Sequence, residues 1–134
     1  MTKKQLIWGI IFTVIAGTLL HFAYEWSGGN PLVGIIAPTS ESVPQHLKLI
    51  VSPFLFYRIF LFIKEPKHFL RYFMNTFFGA LAGMATMLLL FYAYTSVIGR
   101  NILAIDIAIF VISVFCTFFV TYWLDHFTKD NQIL

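Results

Sequence analysis

LIWGIIFTVIAGTLLHFAY, residues 6–24, is a run of 19 residues with one histidine and no Asp, Glu, Lys or Arg. About 20 such residues are needed for a helix to cross some 30 Å of hydrocarbon, so this run reads as a transmembrane helix. Three further apolar runs follow, Val43–Ile63, Tyr72–Ile98 and Ile102–Trp123. The second is interrupted by His46, Lys48 and Arg58 and holds Pro53, which removes a backbone donor and is expected to kink a helix. The third is long enough to span with tilt, and the fourth carries Asp106 as its single charge.

The composition agrees. Hydrophobic residues make up 59% of the chain, aromatic residues 19% and charged residues 11%, with a mean hydropathy of +0.81. Soluble domains carry about 25% charged residues, and a soluble globule of 134 residues has a large surface to cover with polar groups. The expected fold is therefore all-α, a polytopic membrane bundle of four transmembrane helices. It forms a single domain over 1–134, with a loop between helices 1 and 2 that faces outward.

Orientation follows from the cations. Lys3 and Lys4 precede the first run, and Arg58, Lys64, Lys67 and Arg71 flank the connection between the second and third. Excess Lys and Arg mark the cytoplasmic side. Both termini are thus expected in the cytoplasm, and the segment His21–Lys48 outside. A cleaved signal peptide is not expected, because the first run exceeds the 7–15 residues of a signal core and no A-x-A pattern follows it. The net charge of +3 reads as topology, since no basic stripe interleaved with aromatics suggests nucleic acid as a partner. Cys116 stands alone, so dithiol chemistry and an intramolecular disulfide are excluded.

Most of the chemistry falls in HFAYEWSGGNPLVGIIAPTSESVPQHLK, residues 21–48. Ionisable groups beside hydrocarbon must be paired, hydrated or neutral, and their clustering is a reason to look for a use. Ser27-Gly28-Gly29-Asn30-Pro31 is a dense turn cluster that ends helix 1. Ser42 and Gln45 have capping-box spacing, with Pro44 in the first turn, so helix 2 is expected to begin near Val43. His21 and Glu25 share a face at the end of helix 1, and Ser42 and His46 are one turn apart on helix 2. Convergence of these ends would form a pocket from His21, Tyr24, Glu25, Glu41, Ser42, His46 and Lys48. Positive dipole ends favour an anion there. His21, Glu25 and His46 are also candidate ligands for a zinc-like divalent cation with one position open to water. Asp106 is expected to pair with Arg100 or with Lys48, and in the second case it joins the pocket.

Two further patterns concern packing. Gly79 and Gly83 form a small-xxx-small pair, a face suited to close helix contact or to a second copy of the chain. Ser113, Thr117 and Thr121 repeat every four residues, a polar stripe expected to face another helix.

H-x-x-Y-E-W-S-G over His21–Gly28, followed by E-S-x-x-x-H-L-K over Glu41–Lys48, resembles the motif of a family of small four-helix bacterial integral membrane proteins of uncharacterised function. In that family the second motif resembles N-E-S-x-x-E-H-L-K; Ser40 stands here in place of Asn and Gln45 in place of Glu. The second change removes an acid beside His46. The resemblance covers mainly residues 21–53 and implies a four-helix protein of the bacterial cytoplasmic membrane with a polar outer motif; it implies no activity.

The leading expectation is an outward pocket for a polar or anionic lipid headgroup or small solute, with a transport-related role as one form of it. The alternatives are an intramembrane metal-assisted hydrolase or acyl or phosphoryl transferase using His21 or His46 as general base, and a structural accessory subunit.

Overall fold

A computed structural model describes residues 1–36, 47–66, 68–100 and 102–130, without the side chains of residues 22–25, 33, 36 and 128–130. The described chain is helical throughout, with four long helices and one single turn. These are α1 (Lys3–Trp26), α2 (Val33–Ile36), α3 (Lys48–Lys64), α4 (Phe69–Ile98) and α5 (Leu103–Asp130).

Their ends follow local chemistry. Thr2 and Gln5 cap α1 reciprocally: the Gln5 amide donates to Thr2 Oγ1 at 3.1 Å and the Thr2 amide to Gln5 Oε1 at 3.0 Å. That capping box was missed in the sequence, while the one expected at Ser42 and Gln45 lies outside the described residues. The helix α3 is described from Lys48, with Leu47 before it and no side-chain cap, and the start expected near Val43 lies outside the described residues. Gly99 closes α4 in the left-handed conformation at φ 86°, its amide bonded to the Thr95 carbonyl at 2.7 Å. A side chain there would be strained.

Short connections at 64–69 and 98–103 make α3, α4 and α5 antiparallel neighbours. α4 packs most extensively on α5, α1 lies against α3 and α5, and α3 closes the ring against α4. The bundle has two ends. Residue 1, the last turns of α3, the first of α4 and the last of α5 share one; Trp26, Lys48, Ile98 and Leu103 share the other, called the loop end below.

Ile50, Phe54, Val114 and Phe118 are fully buried at the centre, with the Phe54 and Phe118 rings edge to face at 5.1 Å. Small residues let the backbones approach. A Cβ added at Gly9 would lie 2.6 Å from the Tyr57 ring, and one at Gly17 2.7 Å from the Leu49 carbonyl. On α4, Gly79 and Gly83 face Thr121 and Thr117 of α5. The glycine pair and the Ser/Thr stripe are thus two sides of one contact within the chain. A second copy could reach the Gly79/Gly83 face only if α4 left α5.

Polarity runs opposite to that of a soluble protein. Thr13, Arg58, Thr76, Ser113, Thr117 and Thr121 are almost fully buried, while Trp8, Ile15, Ile63, Val97 and Trp123 are more than half exposed. Polar groups inside and aliphatic or aromatic groups outside is the arrangement a lipid solvent favours. α1 over Lys3–His21, α4, and α5 over Leu103–Phe127 are long and apolar enough to cross a membrane. The 17 residues of α3 rise about 25 Å, short of about 30 Å of hydrocarbon.

Candidate functional site

At the loop end, the chain leaves α1 through Gly28 and Gly29, both at positive φ. Asn30 then organises the turn. Its amide donates to Ser27 Oγ at 3.2 Å, and its Oδ1 accepts from the Leu32 amide at 2.9 Å. The Gly34 amide bonds to the Asn30 carbonyl at 3.1 Å. This places the single turn α2 against α1 and presents the Gly34 carbonyl to α3. Lys48 Nζ donates to that carbonyl at 2.7 Å.

Lys48 occupies the first position of α3, half-buried. A cation there opposes the positive end of the helix dipole, and a single backbone carbonyl satisfies one of its three N–H donors. The ammonium takes a backbone carbonyl, and among the described residues, which exclude Glu41 and the Glu25 side chain, it forms no ion pair.

Below Lys48 a groove of about 530 Å³ runs along α3 beside α4. It is lined by Ile35, Leu47, Lys48, Val51, Ser52, Leu55, Phe56, Ile59 and Met84. Apart from Lys48 and Ser52, every side chain in it is apolar.

His21 lies half-buried near the end of α1, one turn beyond Gly17 and on the same face. Since Gly17 meets both Phe110 of α5 and Leu49 of α3, His21 lies on the face of α1 turned into the bundle at the loop end. The side chains of Tyr24 and Glu25, and Glu41, Ser42 and His46 altogether, lie outside the described residues, and with them the expected approach of His21 to His46. Asp106 is placed differently from expectation: its Oδ1 accepts from Tyr94 Oη, and Tyr94 Oη in turn accepts from the Ile102 amide at 3.1 Å. Neither Arg100 nor Lys48 pairs with it. It clamps the α4–α5 turn, and its position in the first turn of α5 suits an acid facing a helix N-terminus. Of the candidate metal ligands, His21 alone has a described side chain; among the described residues no three of His, Cys, Asp and Glu group together.

A second polar centre, unforeseen as such, lies toward the opposite end. Arg58 was counted with the cations flanking the connection between the second and third runs, and the fourth run was ended at Trp123, before Asp125. Arg58 is fully buried, and α5 continues through Asp125 to Asp130, because the guanidinium meets the carboxylate. Nη1 donates to Asp125 Oδ2 at 2.6 Å, Nη2 to Asp125 Oδ1 at 3.1 Å and to the Tyr72 carbonyl at 3.2 Å, and Nε to Thr76 Oγ1 at 2.8 Å. Asn75 Nδ2 adds a bond to Asp125 Oδ1 at 3.0 Å and the Met1 amino group one to Oδ2 at 3.3 Å. Arg58 Cζ stands 3.8 Å from the centre of the Tyr72 ring, whose Oη donates to the Arg58 carbonyl. A signal was present in the sequence: Asp125 continues the four-residue repeat of Ser113, Thr117 and Thr121. With its donors spread over three partners, Arg58 joins α3, α4 and α5 and has little left for a ligand.

Three apolar helices around a polar interior define a small, all-α, membrane-embedded protein. The chain belongs to a family of unknown function, DUF6512, which it matches over residues 1–134. No curated protein and no solved structure matches it.

Proposed function

We propose that this is a multi-pass membrane protein that binds the anionic headgroup of a lipid, or a small anionic solute, at its loop end. α3 serves as the fourth crossing. The observation that carries the reading is Lys48. Its ammonium is tethered by the Gly34 carbonyl at the N-terminus of α3, where two positive features reinforce each other without an acid among the described residues to neutralise them. An anion would satisfy both. The further polar groups of the proposed site come from the same stretch of sequence, His21, Tyr24, Glu25, Glu41, Ser42 and His46.

The up-and-down arrangement supports the orientation, because it gathers Lys3, Lys4, Lys64 and Arg71 at one end. That end is cytoplasmic under the positive-inside rule, and the Lys48 end faces outside.

The reading is tested by thermal unfolding of the purified protein with glycerol phosphate and with short-chain phosphatidylglycerol. Binding to the native state raises the midpoint, increasingly with the logarithm of ligand concentration above the dissociation constant. Wild type is expected to shift upward and Lys48→Met to shift much less. Equal shifts in both, or none in wild type, would refute it.

A further inference from the structure

The groove under Lys48 has the proportions of one bilayer leaflet. From Lys48 to Ile59 it follows α3 for about 16 Å at 1.5 Å per residue, beside about 15 Å for the hydrocarbon of a single leaflet. The charge lies at the interface end, and Leu55, Phe56, Ile59 and Met84 form its lower part. A free solute would use the upper end and leave the rest without a role. A membrane-facing groove with a cation at its head and an apolar floor is complementary along its whole length to one ligand class, an anionic phospholipid.

Resting on the proposed anion site at Lys48, we propose that the ligand is an anionic phospholipid of the loop-side leaflet. Its phosphate is held by Lys48 at the start of α3 and one acyl chain lies in the groove between α3 and α4. Lys48 keeps its bond to Gly34 and turns its remaining N–H donors to the phosphate. Leu55, Phe56 and Ile59 flank the chain, and Ser52, one turn below Lys48, lies near the ester region. The headgroup supplies the charge preference, and the groove supplies the requirement for a chain.

Native mass spectrometry of the full-length protein, with phosphatidylglycerol and phosphatidylcholine of identical chains and with glycerol phosphate alone, tests both parts. Wild type should retain phosphatidylglycerol over phosphatidylcholine by about fivefold, the worth of one basic residue near an anionic surface. Lys48→Met should bring the ratio close to one. Leu55→Trp, and independently Ile59→Trp, fill the groove from its lipid-facing side without touching the charge, and should lower phosphatidylglycerol retention several-fold. Retention at wild-type level in both groove variants, with glycerol phosphate competing, would overturn the acyl-chain assignment and leave the anion site standing. No preference for phosphatidylglycerol in wild type, and no effect of glycerol phosphate, would overturn both.

Discussion

Thr121 of α5 fills the space that a side chain at Gly79 of α4 would need, and Thr117 does the same one turn along at Gly83. The hydroxyls do not cross to α4. Thr121 Oγ1 donates to the Thr117 carbonyl at 2.7 Å and Thr117 Oγ1 to the Ser113 carbonyl at 2.8 Å. The two threonine hydroxyls are therefore satisfied within their own helix, and they present small, smooth flanks to the glycines. Close backbone approach and dispersion hold this contact, as expected where lipid supplies no hydrophobic drive.

A methyl at Gly83 should be costly. Gly83→Ala would overlap the Thr117 hydroxyl and come within 3.3 Å of the Ser113 carbonyl, and overpacking of this kind costs about 1–3 kcal/mol. Thermal unfolding followed by circular dichroism should show the loss. Adding Thr117→Ala should recover part of it. A stability equal to wild type in the single variant would mean that the helices do not approach this closely.

The Arg58–Asp125 pair makes a sharper prediction. Removing one partner leaves the other charge buried, at a cost of about 3–5 kcal/mol. Arg58→Met and Asp125→Asn should each unfold at much lower temperature, and the double variant should be more stable than the sum of the two losses implies. Arg58→Lys should not rescue, since one ammonium cannot span Thr76, the Tyr72 carbonyl and both carboxylate oxygens. Full stability in Arg58→Lys would reduce the pair to simple charge balance.

Tyr94→Phe removes the donor to Asp106 and the acceptor for the Ile102 amide together. Hydrogen bonds to charged groups contribute about 1.5–3 kcal/mol, so the α4–α5 turn should loosen. Hydrogen exchange should quicken at Ile102 and in the first turn of α5 while the Arg58 end keeps its protection. Unchanged exchange at the turn would argue against the clamp.

Topology can be read with an impermeant thiol reagent on intact cells expressing a variant with Cys116→Ala. Cysteine placed at Ser27 should be labelled, and cysteine at Lys67 should not. The reverse pattern would move the Lys48 site to the cytoplasmic face and overturn the orientation proposed above.

The helical, membrane-embedded character was legible in the residues themselves, because hydropathy and run length are local properties that the bilayer reads directly. A helix end was misplaced where a tertiary partner intervened: the fourth apolar run stops at Trp123, yet α5 continues to Asp130, with Arg58 neutralising Asp125. Gly79/Gly83 and Ser113/Thr117/Thr121 could each be recognised as contact faces from spacing alone. Their mutual register, and the pairing of Asp106 with Tyr94 in place of Lys48 or Arg100, required the fold. Which buried charge meets which partner depends on the order of helices around the bundle and on their vertical offset, set by packing across residues far apart in the chain. Composition alone decided that polar groups must turn inward; the tertiary structure decided that Arg58 would find Asp125, and that Lys48 would stand at the head of an apolar groove.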